Sequence, residues 1–324
     1  MIKRIVWHGF FVVLMGLIFS GFLSEDSVLL TTDAAIKGSN VSPSEVIHRM
    51  PPHWNDRVLL GSPRGTGTQL ASVLKAFTSG VVWNNLAYGL ACLLSSWIFL
   101  RRFRSLTPWA SVLGALAAFW VGTNFSIVLA GHYFKPYVIL FFVCSLLPVS
   151  GAAAGSVGSA LLWGACVGLM FAQQPDVALF FALFAGAYLV FLLWKEQGLK
   201  PAGWLKIMVP AAAMAFLFAA GPLLSGYEHH VKGTAQMKTE NGQQKWEYVT
   251  QWSVPPDEMA DLIAPGYYGW RSNEPDGPYW GRTGRSPGWE NTKQGFRNFR
   301  LESIYIGMIP VSFALFSLFT FRRS

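Results

Sequence analysis

Charge is what this sequence has least of. Only 13% of its residues are Asp, Glu, Lys or Arg, while 52% are hydrophobic. Ordinary soluble domains carry about 25% charged residues, so the deficit excludes that class and leaves an integral membrane protein. Cysteine is scarce too. Cys92, Cys144 and Cys166 all fall inside apolar runs, so no disulfide staples an external loop, and no CxxC or His/Cys spacing marks zinc. Gly65-Thr66-Gly67 lacks the lysine and the strand-helix context of a phosphate loop, and reads as a turn. No HExxH and no internal repeat is visible, and no GxSxG or Ser/His/Asp order is convincing. The few charges sum to +8, and in so apolar a chain that excess records orientation across a membrane rather than binding to nucleic acid.

What is present in quantity is apolar runs. About eight read as membrane segments, at roughly 5–23, 81–100, 108–130, 136–150, 156–172, 177–194, 204–224 and 303–321. The expected fold class is therefore all-α. It is a polytopic integral membrane protein with about eight transmembrane helices in one domain, and two long extracytoplasmic loops at about 24–80 and 225–302. Met1-Ile2-Lys3-Arg4 and the run after it resemble a signal peptide, but Phe19-Ser20-Gly21-Phe22-Leu23 is a poor cleavage site, which predicts an uncleaved anchor. Lys3-Arg4, Arg101-Arg102-Phe103-Arg104, the lysines at 195, 200 and 206, and Arg322-Arg323 all fall on one face if each segment crosses once. That face is cytoplasmic, and both termini lie on it. Gly151 to Gly158 makes an uncharged hairpin between two short segments. A tightly packed pair with small-residue contacts is expected there, a re-entrant pair being the alternative.

Polar groups at membrane edges are costly and therefore informative. Asp33, in Leu30-Thr31-Thr32-Asp33-Ala34, is the only acid in 27–44 and lies about ten residues past the first segment. It either caps a short helix or meets a lipid-carried substrate as a base. His132 and Lys135, in Gly131-His132-Tyr133-Phe134-Lys135-Pro136, open on the same side. Lys135 suits a phosphate or snorkels to the interface. Gln173-Gln174-Pro175-Asp176 is a third polar turn on that side. Pro175 and Asp176 suit a helix start, whereas two glutamines at the edge of lipid suit recognition of sugar hydroxyls. In the second loop Trp270, Tyr279 and Trp280 alternate with Arg271 and Arg282. Such rings stack on sugars and such arginines grip phosphates, or the loop lies on headgroups. Glu45 and His48 share a helix face, with His53, His229 and His230 elsewhere outside. None of this has metal-ligand spacing, so no cofactor is expected, with a divalent cation left open.

The layout resembles the YfhO-like bacterial membrane proteins of the GT-C glycosyltransferase superfamily. One helix is followed by a long external loop carrying Asp33 early, and then by a multi-helix bundle. The Ala130-Gly131-His132-Tyr133-Phe134-Lys135 turn and the loop from Pro255-Pro256-Asp257-Glu258 to Gly281 resemble segments of that group. The resemblance covers most of the chain through loose motifs. It departs in two ways: the chain stops after about eight segments, as the N-terminal part of a longer protein would, and Asp33 stands alone rather than in an acidic pair, Glu25 and Asp26 lying at the membrane end of the loop. The resemblance implies a polytopic protein of the bacterial inner membrane whose substrate is a polyprenyl-phosphate-linked sugar, transferred to an acceptor outside the cytoplasm. It implies Asp33 as the catalytic base or acceptor-positioning group. A transporter or flippase of a lipid-linked or anionic substrate is the rival reading, and a non-catalytic assembly protein is the third. A transporter would place ionisable groups or repeats near midspan, which this sequence lacks.

Overall fold

Among the described residues three helices begin on proline or one residue before it, because proline's missing N–H costs nothing in a first helical turn. The computed structural model describes residues 134–226, 254–269 and 307–320 without interruption, a ribbon at 53–55 and 62–64, and isolated positions within 6–17 and 89–114, with Asn291 and Tyr305. In chain order the elements are β1 (His53–Asn55), β2 (Ser62–Arg64), α1 (Lys135–Ser145), α2 (Val149–Ala153), α3 (Val157–Gln173), α4 (Pro175–Gln197), α5 (Pro201–Gly226), a 3-10 turn at Asp257–Leu262, and α6 (Met308–Thr320). The chain divides into two compact units, 1–112 with 132–233, and 113–131 with 234–324.

The described residues are helical apart from one ribbon. β1 and β2 pair antiparallel with Trp54 opposite Pro63, inside the first long loop, where only turns were expected. A ribbon of two strands has nothing but edges, so a proline in it removes no ladder that a third strand needs.

In the first unit, α3 and α4 each pack against all the other bundle helices, and the α3–α5 interface is the most extensive. Its closeness comes from Gly164 and Gly168, one turn apart on α3. A Cβ on Gly164 would strike the carbonyl oxygen of Ala211, and one on Gly168 would strike that of Ala215 and stand 2.8 Å from the Phe218 Cβ. Gly-xxx-Gly on one helix thus faces Ala-xxx-Ala on the other, the spacing that lets helix backbones meet in lipid. Around this seam Val138, Ala160, Met170, Leu189, Leu193 and Ile207 form a continuous core.

The segment expected at 136–150 is not one helix. It breaks at 146–148, where Pro148 has no N–H for the next helical bond and the Leu147 N–H donates instead to the Cys144 carbonyl oxygen at 3.1 Å. The result is an 11-residue α1, about 16 Å long, and a five-residue α2. The small-residue pairing expected nearby is present: a Cβ on Gly151 would lie 2.5 Å from the Ser159 hydroxyl. Ser156 caps α3 by accepting the Ser159 N–H at 3.3 Å.

Among the described residues two helices are long and apolar enough to cross a membrane, Pro175–Gln197 and Pro201–Leu224. Their outward residues are apolar: Phe180 is 73% exposed, Leu183, Phe184, Phe216 and Leu217 are exposed as well, and no polar stripe accompanies them. Water is a poor solvent for such a face, and hydrocarbon suits it. Pro210 and Pro222 sit inside α5 without ending it. Near the N-terminus Val6, Phe10, Val13 and Leu17 are helical and exposed. At 89–98, Ala91, Ser95 and Ile98 are buried while Leu90 and Trp97 are exposed, a helical alternation of faces. In the second unit α6 covers 13 residues of the run expected at 303–321.

Candidate functional site

Both ends of the helices in the first unit carry polar groups, and they differ in how those groups are used. At the end where α4 passes to α5, the Gln197 side-chain amide donates to the Ala153 carbonyl oxygen at 2.6 Å, closing α2. The Trp204 indole N–H donates to the Gly198 carbonyl oxygen at 3.0 Å, pinning the α4–α5 link. Those bonds satisfy helix-end carbonyls that would otherwise be orphaned.

The opposite end is formed where α3 passes to α4 through a single residue, Gln174, whose backbone is extended with φ −154° and ψ 100°. Pro175 starts α4 and Asp176 lies in its first turn, where a carboxylate faces the positive end of the helix dipole. The Gln174 side-chain amide donates to Asp176 Oδ2 at 3.3 Å. Asp176 is exposed and Lys135, at the start of α1, is half-buried. Lys135 stands just outside the apolar stretch of α1. Loss of surrounding water holds its ammonium below the ordinary lysine value, and the Asp176 carboxylate opposes that shift. The mutual influence puts the α1 start beside the α3–α4 joint.

Gln173, the last residue of α3, is 4% exposed. Among the described residues neither its Nε2 nor its Oε1 has a hydrogen-bond partner. An amide has two donors and an acceptor, and leaving a buried polar group unmade costs about 1–3 kcal/mol. A leucine there would avoid that cost.

Of the residues singled out in the sequence, the structure therefore brings together Lys135, Gln174 and Asp176, with Gln173 buried beside the joint. It separates the two glutamines: Gln174 is spent on Asp176, and Gln173 is not spent at all. Asp33, His132, Trp270, Arg271, Tyr279, Trp280 and Arg282 lie outside the described residues. Glu45, His48, His229 and His230 lie outside them too, and among the described residues no group of three His, Cys, Asp or Glu side chains could hold a metal ion. Sequence reasoning passed over Trp163, buried on α3 with its indole N–H unpartnered among the described residues, about 15 Å from Gln173 along the helix. Its position within an apolar run, away from either end where tryptophans usually gather, was the available sign.

The second loop is folded where it is described. After Pro255-Pro256 the 3-10 turn buries Glu258 and Asp261. The Tyr268 hydroxyl donates to the Asp257 carbonyl oxygen at 3.0 Å, and the Tyr268 N–H to Asp261 Oδ1 at 3.4 Å. Loss of water, and then the nearby Asp257 carboxylate, raise the Tyr268 phenol above its usual value, so it stays a donor at neutral pH. Met259, Ile263 and Tyr267 point outward.

What fold and site define is a class: a helical protein with, among its described residues, two helices fit to cross a membrane and a bundle end that buries an unbonded amide. No protein-family model, no curated protein and no solved structure matches the chain.

Proposed function

We propose that this chain is a multi-pass protein of the bacterial cytoplasmic membrane, with about eight spans and both termini inside, that transfers a sugar from a polyprenyl phosphate on the outer side. The observation that carries this reading is the polar group at the α3–α4 end of the bundle: Lys135 for a phosphate, Gln173 for hydroxyls and Asp176 beside them. In the proposed orientation that end faces outward, on the side where Asp33, His132 and the Trp270–Arg282 loop emerge. Asp33 takes the proton of an acceptor hydroxyl as its oxygen bonds to the sugar's anomeric carbon. The bond from that carbon to the phosphate oxygen breaks, and polyprenyl phosphate leaves with the electron pair. Lys135 offsets the charge that develops on the leaving phosphate.

The test is transfer of radiolabelled sugar from a polyprenyl-phosphate donor by membranes holding the protein. Asp33→Asn keeps the cap but cannot take a proton, and should lower the rate by ~10²–10⁴ at matched expression. Transfer by Asp33→Asn at the wild-type rate sinks the assignment of Asp33. No transfer by the wild type sinks the enzyme.

A flippase or transporter of the same lipid-linked substrate is the second reading. The break between α1 and α2 favours it, since discontinuous helices are a transporter device.

A further inference from the structure

Gln173 poses a specific problem of chemistry. A group 4% exposed, with donor and acceptor both unmatched among the described residues, is a standing cost. Its neighbours differ. Gln174 is hydrogen-bonded, and the corresponding amide at the far end of α4, Gln197, is hydrogen-bonded as well. Lys135, at the same end as Gln173, has an electrostatic partner in Asp176 but no ion pair with it.

We infer that the Gln173 amide is the hydroxyl-reading group of a binding site at this end of the bundle, with Lys135 holding the anion. The ligand class is a phosphate ester that carries a hydroxyl close to its phosphate. An amide sets N–H donors beside an acceptor oxygen, and so matches a hydroxyl, which also donates and accepts. It matches a bare anion poorly, because its acceptor oxygen meets negative charge. Gln173 closes α3 and the next residue has already left helical geometry. Rotation of its side chain therefore brings the amide to the bundle end without unwinding α3. The chemistry is shared by a lipid-linked sugar and by a glycerol-based phospholipid headgroup. The choice of the sugar rests on the proposed function, whereas the roles of Gln173 and Lys135 do not.

The experiment is binding by the full chain in lauryldimethylamine oxide, a detergent without sugar or phosphate. The probes are glucose 1-phosphate, glycerol 3-phosphate and ethyl phosphate, the last having no hydroxyl outside its phosphate. Wild type should bind one of the hydroxylated esters roughly tenfold more tightly than ethyl phosphate, the worth of one hydrogen bond. Which ester it prefers names the source, sugar or glycerol. Gln173→Leu and Gln173→Met should erase that preference and leave ethyl phosphate binding unchanged. Lys135→Ala should weaken all three. Equal binding of the three esters by wild type overturns the inference, as does a preference that survives Gln173→Leu. Failure of both Gln173 variants to fold overturns it too, since the amide would then be needed by the fold. Preference for a hydroxylated ester without any sugar transfer leaves this inference standing and removes the transferase.

Discussion

The two ends of the α3–α4–α5 bundle are built from the same kinds of residue and put them to opposite use. At the α4–α5 end the Gln197 amide and the Trp204 indole are each bonded to a helix-end carbonyl. At the α3–α4 end the Gln173 amide is buried and, among the described residues, unbonded, and the Lys135 ammonium has lost water and makes no ion pair with Asp176. Natural cores keep such unmet groups rare because each costs about as much as a good hydrogen bond gains. A fold that satisfies one end and leaves the other wanting has been shaped by stability at the first and by something else at the second. Binding is the simplest such cause, since functional sites trade stability for recognition.

The comparison holds only while α3 carries both ends rigidly, and the heaviest blow to it is at the glycine seam. Gly168→Val places methyl groups against the Ala215 carbonyl, which backbone cannot yield cheaply. Overpacking of this sort costs ~3 kcal/mol or more where backbone must move. Folded, monodisperse protein in detergent should be largely lost, and retention of wild-type yield and melting would show that the seam is not tight.

Next in size is the unsatisfied end itself. Lys135→Ala should weaken binding of the polyprenyl-phosphate donor by ~1.5–3 kcal/mol, the worth of a charged hydrogen bond, with little change in melting temperature. Unchanged donor affinity would take Lys135 out of the site and leave it as an interfacial anchor.

The smallest effect belongs to the satisfied end. Ser156→Ala removes the cap on α3 that accepts the Ser159 N–H. It should lower stability by ~1 kcal/mol and leave donor binding untouched. A binding defect of the same size as that of Lys135→Ala would mean that the two ends are not separable.

Much of the bundle could be read from hydropathy. The runs expected at 156–172, 177–194 and 204–224 are α3, α4 and α5 with ends moved by a few residues, because an unbroken apolar run has few ways to satisfy its backbone. The break at 146–148 escaped, although Pro148 stands there. Prolines such as Pro210 are tolerated inside α5, so proline alone does not locate a break. The Gly164–Gly168 spacing was legible in principle, but its partner Ala211–Ala215 is named only by the fold. The pair Gln173-Gln174 was noticed as polar residues at the edge of lipid. Which of them turns inward depends on where α3 stops, and helix ends are the least readable feature of a sequence. The ribbon of β1 and β2 depends on pairing between separate tripeptides, which Pro51-Pro52 and the glycines near it disguise as turns.

One measurement bears most directly on the difference between the ends: thermal unfolding of Gln173→Leu and Gln197→Leu, side by side with wild type in one detergent without ligand. Gln197→Leu strips a bond from the Ala153 carbonyl and should melt lower, by an amount corresponding to ~1–3 kcal/mol. Gln173→Leu removes a buried amide that has no partner and should melt at or above wild type. Opposite signs are the predicted result. A Gln173→Leu protein that melts as far below wild type as Gln197→Leu would contradict it, because the two glutamines would then both be structural.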